Sequence, residues 1–192
     1  MKVVSAKVNF EINDWISFTK FPHVEPIVIV TSISKEGIAD AAVKTWTTFI
    51  NLKPSMMVFS CNRQHQTAKN ILATKEFVVN IPCEDIVKET LATAKPYQPQ
   101  ISKIESAGLT AIPSVKVKPP RIKECKAHVE CVLRWTKRYG DEIIIAAEVV
   151  SASADKDVME ASPEERSNLL KPILWVGAER YAGIKQSRSF PK

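Results

Sequence analysis

The chain has 192 residues, 45% hydrophobic and 25% charged, the balance of a single globular domain with a sizeable core. Its formal net charge is +6, a basic surface that attracts anionic small molecules. No apolar run reaches the roughly 18–20 residues that cross a bilayer, and the start of the chain lacks the apolar core of a signal peptide, so a cytoplasmic protein with no membrane partner is expected.

Cys61, Cys83, Cys125 and Cys131 show no CxxC spacing, and His23, His65 and His128 show no paired-ligand spacing. Buried free thiols and no metal site are expected. An RNP-like aromatic platform, a zinc finger and a helix-turn-helix signature are all missing, which makes nucleic acid an unlikely partner.

In chain order, residues 3–8 alternate as an edge strand. Residues 26–32 are β-branched and continuous, as in a central strand, and 39–43 pair with them through a turn at Gly37. Residues 56–61 form a strand whose unbroken apolar run, Met56 to Phe59, suggests cover on both faces. A helix follows at Gln66–Thr74 and a strand at 77–81. Residues 84–94 place Ile86, Val87, Thr90, Leu91 and Ala94 on one helical face. Short strands are expected at 109–112 and 115–117. Residues 127–135 alternate, with Ala127, Val129, Cys131, Leu133 and Trp135 on the apolar face. A hairpin connection at 137–141 leads to the apolar run 143–150. Ser162, Pro163 and Glu165 form a capping box for a last helix, which ends near Lys171 before Pro172.

This pattern predicts a mainly β protein with a few helices, a closed antiparallel barrel with helices at its ends. The five glycines form no GxGxxG, so a Rossmann domain is not expected.

The chemistry concentrates where the 56–61 strand feeds the Gln66 helix. Arg63, Thr67, Lys69 and Asn70 crowd the turn and the first helical turns. Free backbone N–H groups and the helix dipole favour an anion at such a place. Thr31–Ser32 and Ser60–Cys61–Asn62 end neighbouring strands and could offer backbone or hydroxyl partners to a ligand at a barrel mouth.

Several segments line up in order: Val30–Thr31–Ser32; Ala39 through Lys44 to Thr45–Trp46; Lys53–Pro54; Arg63-x-x-x-Thr67-x-x-Asn70–Ile71; and Glu76–Phe77–Val78–Val79–Asn80–Ile81–Pro82. This order resembles the flavin reductase-like, FMN-binding split-barrel family, which includes flavoredoxins. The resemblance implies a Greek-key split barrel of six strands, a homodimer, and FMN in a groove near the subunit interface. It implies electrons passing from NADH or NADPH to flavin and on to a small-molecule or protein acceptor. It makes Arg63, Thr67, Asn70 and Lys69 candidates for the FMN phosphate, and it sets Thr45, Trp46 and Thr47 beside the flavin ring. It also matches Tyr181 to a tyrosine that closes over the site or the dimer interface. The chain departs from the family's Asn-x-x-Pro lead-in at Ala42–Val43–Lys44. Two rival readings stand beside it: a non-enzymatic barrel that carries or senses flavin or haem, and an OB-like barrel that binds nucleic acid.

Overall fold

The structure is a computed structural model that describes residues 6–96, 98, 101–184, 186–188 and 190. Its elements are, in order, α1 (Trp15–Lys20), β1 (Glu25–Pro26), β2 (Val28–Ile33), β3 (Ala39–Lys44), β4 (Thr47–Leu52), β5 (Ser55–Asn62), α2 (Gln66–Thr74) and β6 (Glu76–Ile81). A short 3-10 turn, Glu84–Ile86, leads into α3 (Val87–Ala92). Then come α4 (Lys103–Ser106), β7 (Ala111–Ile112), β8 (Arg121–Ile122), β9 (Ala127–Tyr139), β10 (Glu142–Ala154), α5 (Lys156–Glu160), α6 (Pro163–Leu170), β11 (Ile173–Trp175) and β12 (Tyr181–Gly183).

Seven strands form one antiparallel sheet in the order β3-β2-β6-β9-β10-β5-β4, and β1, β11 and β12 form a smaller one. The outer strands of the large sheet, β3 and β4, are consecutive in the chain and separated only by Thr45–Trp46. Three Cα–Cα steps of 3.8 Å span at most about 11 Å, so the two edges must curl toward each other. The strands close into a barrel with its split between β3 and β4. The large sheet has one strand more than the family resemblance implied.

Period-two alternation sorts β2 between two cores. Val28 and Val30 face the barrel interior with Phe59, Phe77, Val79, Cys131 and Ile145, and Ala68 and Ile71 of α2 join that cluster. Ile29 faces outward against Ile104, Leu109, Ile122 and Cys125. This strand is buried on both sides, as its β-branched run predicts. In β5, by contrast, only Met57, Phe59 and Cys61 are buried, while the residues between them are half-exposed. The unbroken apolar run there does not mean equal cover on both faces.

The hairpin of β9 and β10 is longer than expected: pairing runs to Tyr139 and Glu142, so the connection is the pair Gly140–Asp141, with Gly140 at φ +57. The polar face of β9 is buried at His128 and Glu130 and reaches solvent only from Arg134 on. Glu130 is fully buried, accepts from the backbone N–H groups of Val115 (2.8 Å) and Lys116 (2.6 Å), and pairs with Arg121. His128 is held by the Ile122 carbonyl at 2.8 Å, a structural role. The 113–120 segment that covers this face forms turns, so the strand expected at 115–117 is absent, and the one expected at 109–112 shrinks to β7. Of the edge strand expected at 3–8, residues 3–5 lie outside the described residues and 6–8 are not a strand.

Two elements give no clear sequence signal. Helix α1 starts at Asp14, which accepts from Ser17 N at 2.7 Å while Ser17 Oγ accepts from Asp14 N. Strand β4 carries Phe49, Ile50 and Leu52 on an exposed edge, without the burial that marks a core strand.

Candidate functional site

The barrel split places the C-terminal end of β3, the Thr45–Trp46 link, the end of β5 and the start of α2 together. Trp46 is tied to β5 by its carbonyl, which accepts from Ser60 N at 3.1 Å. Its ring is held edge-on by Phe18 of α1 at 5.6 Å, and Phe18 in turn packs on Trp175. Two clefts open on this region. The first, about 570 Å³, lies between β3, the start of α2 and the segment between α3 and α4. The second, about 300 Å³, lies between Trp15, Trp46 and the end of β5. Val43, Lys44 and His65 form a wall common to both, so they are two ends of one groove.

The first end is built for an anion. His65 caps α2 with no side-chain hydrogen bond, and the first turn holds no acidic residue. The N–H groups of Gln66, Thr67 and Ala68 precede the first intrahelical donor, Lys69 N, which bonds His65 O at 3.2 Å. Lys44, Lys69, Lys95 and Lys103 surround this space, with a single carboxylate, Asp40. Strand periodicity sets Asp40, Ala42 and Lys44 on the same face, and the small Ala42 leaves room between the two charges. Lys103 Nζ lies 3.4 Å from Asp40 Oδ1, and Thr67 Oγ1 donates to Asp40 Oδ2 at 3.5 Å. Burial pushes the Asp40 carboxyl above its ordinary value, against the pull of Lys103. Burial lowers His65, with Lys44 and Lys103 adding to the effect, which favours the neutral ring.

The second end is mostly apolar. Trp15, Val43 and Trp46 wall it, and Thr45, Ser60 and Asn62 supply polar groups. Cys61 also lines it, its thiol pushed up to about 11 by burial.

Of the residues singled out in the sequence, Thr67 and Lys69 line the first end, and Thr45, Trp46, Ser60, Cys61 and Asn62 line the second. Asn70 and Ser32 line neither: Asn70 Nδ2 donates to Ser32 Oγ at 3.1 Å, a buried bond that fixes the start of α2 on β2. Thr47 is the first residue of β4, and its Oγ1 is buried with no hydrogen-bond partner among the described residues. Thr31 lies away from the groove, donating to the Pro120 carbonyl at 2.6 Å and accepting from Asn80. Arg63 lines neither end and reaches Asp141 of the hairpin turn at 3.6 Å. Tyr181 pairs with Trp175 in the small sheet.

Asp40, Lys44, Lys95, Lys103 and Glu142 line the groove without having been singled out. Alternation along 39–44 could have placed Asp40 and Lys44 on one face. Lys95 and Lys103 flank a proline-rich loop, and only the tertiary fold brings them to β3.

A curled antiparallel sheet split beside a two-ended groove defines a split-barrel protein. The model of the flavin reductase like domain matches residues 21–184, and the chain belongs to that family. An uncharacterized protein of Aquifex aeolicus is 32% identical over 161 residues, covering 81% of this chain and 82% of the relative. Nitrilotriacetate monooxygenase component B from Bacillus cereus superposes with a TM-score of 0.85 at 25% identity, over 96% of this chain and all of that one. Flavoredoxin of Desulfovibrio vulgaris superposes with a TM-score of 0.81 at 17% identity, over 97% of each chain, which speaks for the fold. The chain is thus a split-barrel protein of a flavin-linked oxidoreductase family.

Proposed function

We propose that the protein binds FMN in the groove and acts as an NAD(P)H-dependent flavin oxidoreductase. One observation carries this reading: an uncapped helix start in a lysine-walled cleft shares a wall with an apolar cleft lined by tryptophan. A phosphate fits the first end and a flat aromatic ring the second. Bound there, flavin supplies the chemistry, accepting hydride from NADH or NADPH and passing electrons to a small-molecule or protein acceptor.

The chain's own residues bind and orient. The first N–H groups of α2, Thr67 and Lys69 hold the phosphate, and Lys95 and Lys103 add positive charge. Val43 and Trp46 cover one face of the ring, and polar groups of Thr45, Ser60 and Asn62 serve its edge, with the buried, unpartnered Thr47 hydroxyl next along the chain. Arg63 and Asn70 act through α2, Arg63 by tying its entry to the hairpin turn and Asn70 by docking it on β2. Ser32 acts through its bond to Asn70, and Thr31 belongs to the scaffold. The exposed edge of β4, with Phe49, Ile50 and Leu52 on the strand that follows Trp46, is the surface we assign to a second copy in a homodimer.

Anaerobic mixing of FMN-loaded protein with NADH and then NADPH tests the activity. Bleaching of the flavin absorbance by either donor supports it. Bound flavin that neither donor bleaches favours a carrier, and absence of flavin uptake refutes the reading.

A further inference from the structure

Lys44 is the one groove lysine that lines both ends, and it carries no ion pair or side-chain hydrogen bond among the described residues. The side chain is partly buried. Asp40, four residues back on the same face, is already engaged by Lys103 and Thr67. The other titratable groups near Lys44 are Cys61 from β5, His65 before α2, Lys103 from α4 and Glu142 from β10. Glu142 shares the second cleft with Lys44, yet no ion pair joins them, and its buried Oε2 has no hydrogen-bond partner. Partial burial without a partner disfavours the charged ammonium and drives its pKa down, a cost to the charged form. A ligand that brings negative charge to this wall relieves that cost.

The phosphate end already has its own donors: the α2 N–H groups, Lys69, Lys95 and Lys103. Lys44 stands one residue before Thr45–Trp46, on the side of the ring. A flavin ring gains negative charge on reduction, and a positive group at its pyrimidine edge favours that state. Resting on the flavin reading above, we infer that Lys44 is the positive group that makes the groove prefer reduced over oxidised flavin. It thereby sets the driving force for taking hydride from the nicotinamide.

The test compares wild type, Lys44→Met and Lys44→Arg. Dissociation constants are measured anaerobically for oxidised and dithionite-reduced FMN, and for oxidised and reduced riboflavin, alongside thermal melts. Lys44→Met is expected to weaken reduced flavin about tenfold more than oxidised flavin, for FMN and riboflavin alike. That ratio equals a midpoint potential lower by about 30 mV for a two-electron couple. Lys44→Arg restores most of the ratio. Equal losses for both redox states, or a loss confined to FMN, overturn the inference and make Lys44 a structural or phosphate residue. A wild-type protein that takes up no flavin in either state instead refutes the flavin reading itself.

Discussion

Lys103 Nζ and Asp40 Oδ1 stand 3.4 Å apart, with the two side chains 11% and 1% exposed, across the gap between α4 and β3. They pin the wall of the anion end to the segment that follows α3. Burial nevertheless holds Asp40 above its ordinary value of 3.8. A carboxyl raised in the fold contributes stability that is complete below its unfolded pKa and is lost as pH rises through its folded pKa. Lys103→Met therefore destabilises the fold by about 3 kcal/mol at pH 7, the cost of breaking a buried pair. The loss shrinks as pH falls and Asp40 takes up a proton, and adding Asp40→Asn recovers much of it. Urea unfolding at two pH values checks this; a loss that does not change with pH contradicts it.

Glu130 has the opposite sign. Burial alone raises it, but the N–H groups of Val115 and Lys116 and the Arg121 guanidinium outweigh burial and hold it below 4.5. Its contribution is present above the unfolded pKa and is lost as pH falls through the folded one. Glu130→Ala should cost about 3–5 kcal/mol at neutral pH, because it leaves Arg121 buried and unpaired. The stability of this variant, measured by urea unfolding followed by circular dichroism at several pH values, should fall less steeply with acidification than that of wild type.

The anion end separates Lys69 from Arg63. Lys69→Met should weaken FMN binding about threefold, in the range for an exposed charge, and leave riboflavin binding unchanged. Arg63→Ala should change FMN binding less, since its guanidinium faces Asp141. Flavin fluorescence titrations decide. A larger loss at Arg63 than at Lys69 would return the phosphate to Arg63.

Cys61 lines the ring end, but its thiol is pushed up to about 11 by burial and stays protonated at neutral pH. Iodoacetamide at pH 7.5 should modify it slowly in the native protein and quickly in urea. Cys61→Ser should keep flavin affinity within about twofold. Rapid native alkylation would show an exposed thiolate instead.

How much of this was legible in the sequence depended on range. The β9–β10 hairpin announced itself because its apolar residues alternate over consecutive positions, and the α2 start because Thr67 and Lys69 belong to one helical turn. Strand β4 did not, because Phe49, Ile50 and Leu52 face outward and give no inside-outside pattern. The buried face of β9 misled because Glu130 and His128 find polar partners in the loop around 115–122, a contact that local alternation cannot report. At the site, Arg63 and Asn70 have the right chemistry and spacing, and what the sequence did not show is their tertiary surroundings: Asn70 Nδ2 donates to the buried Ser32, and Arg63 stands 3.6 Å from the exposed Asp141. Lys103 reached the site from 63 positions beyond Asp40, which only the folded chain reveals.

If the groove holds a flavin by ring and phosphate together, loss of the phosphate must weaken binding without abolishing it. Equilibrium titration of the purified protein with FMN and with riboflavin, followed by flavin fluorescence, tests it most directly. The account predicts saturable binding of both, with FMN tighter by about tenfold or more, the worth of charge-assisted hydrogen bonds to the phosphate. Equal affinity for the two, or no binding of either, would contradict it.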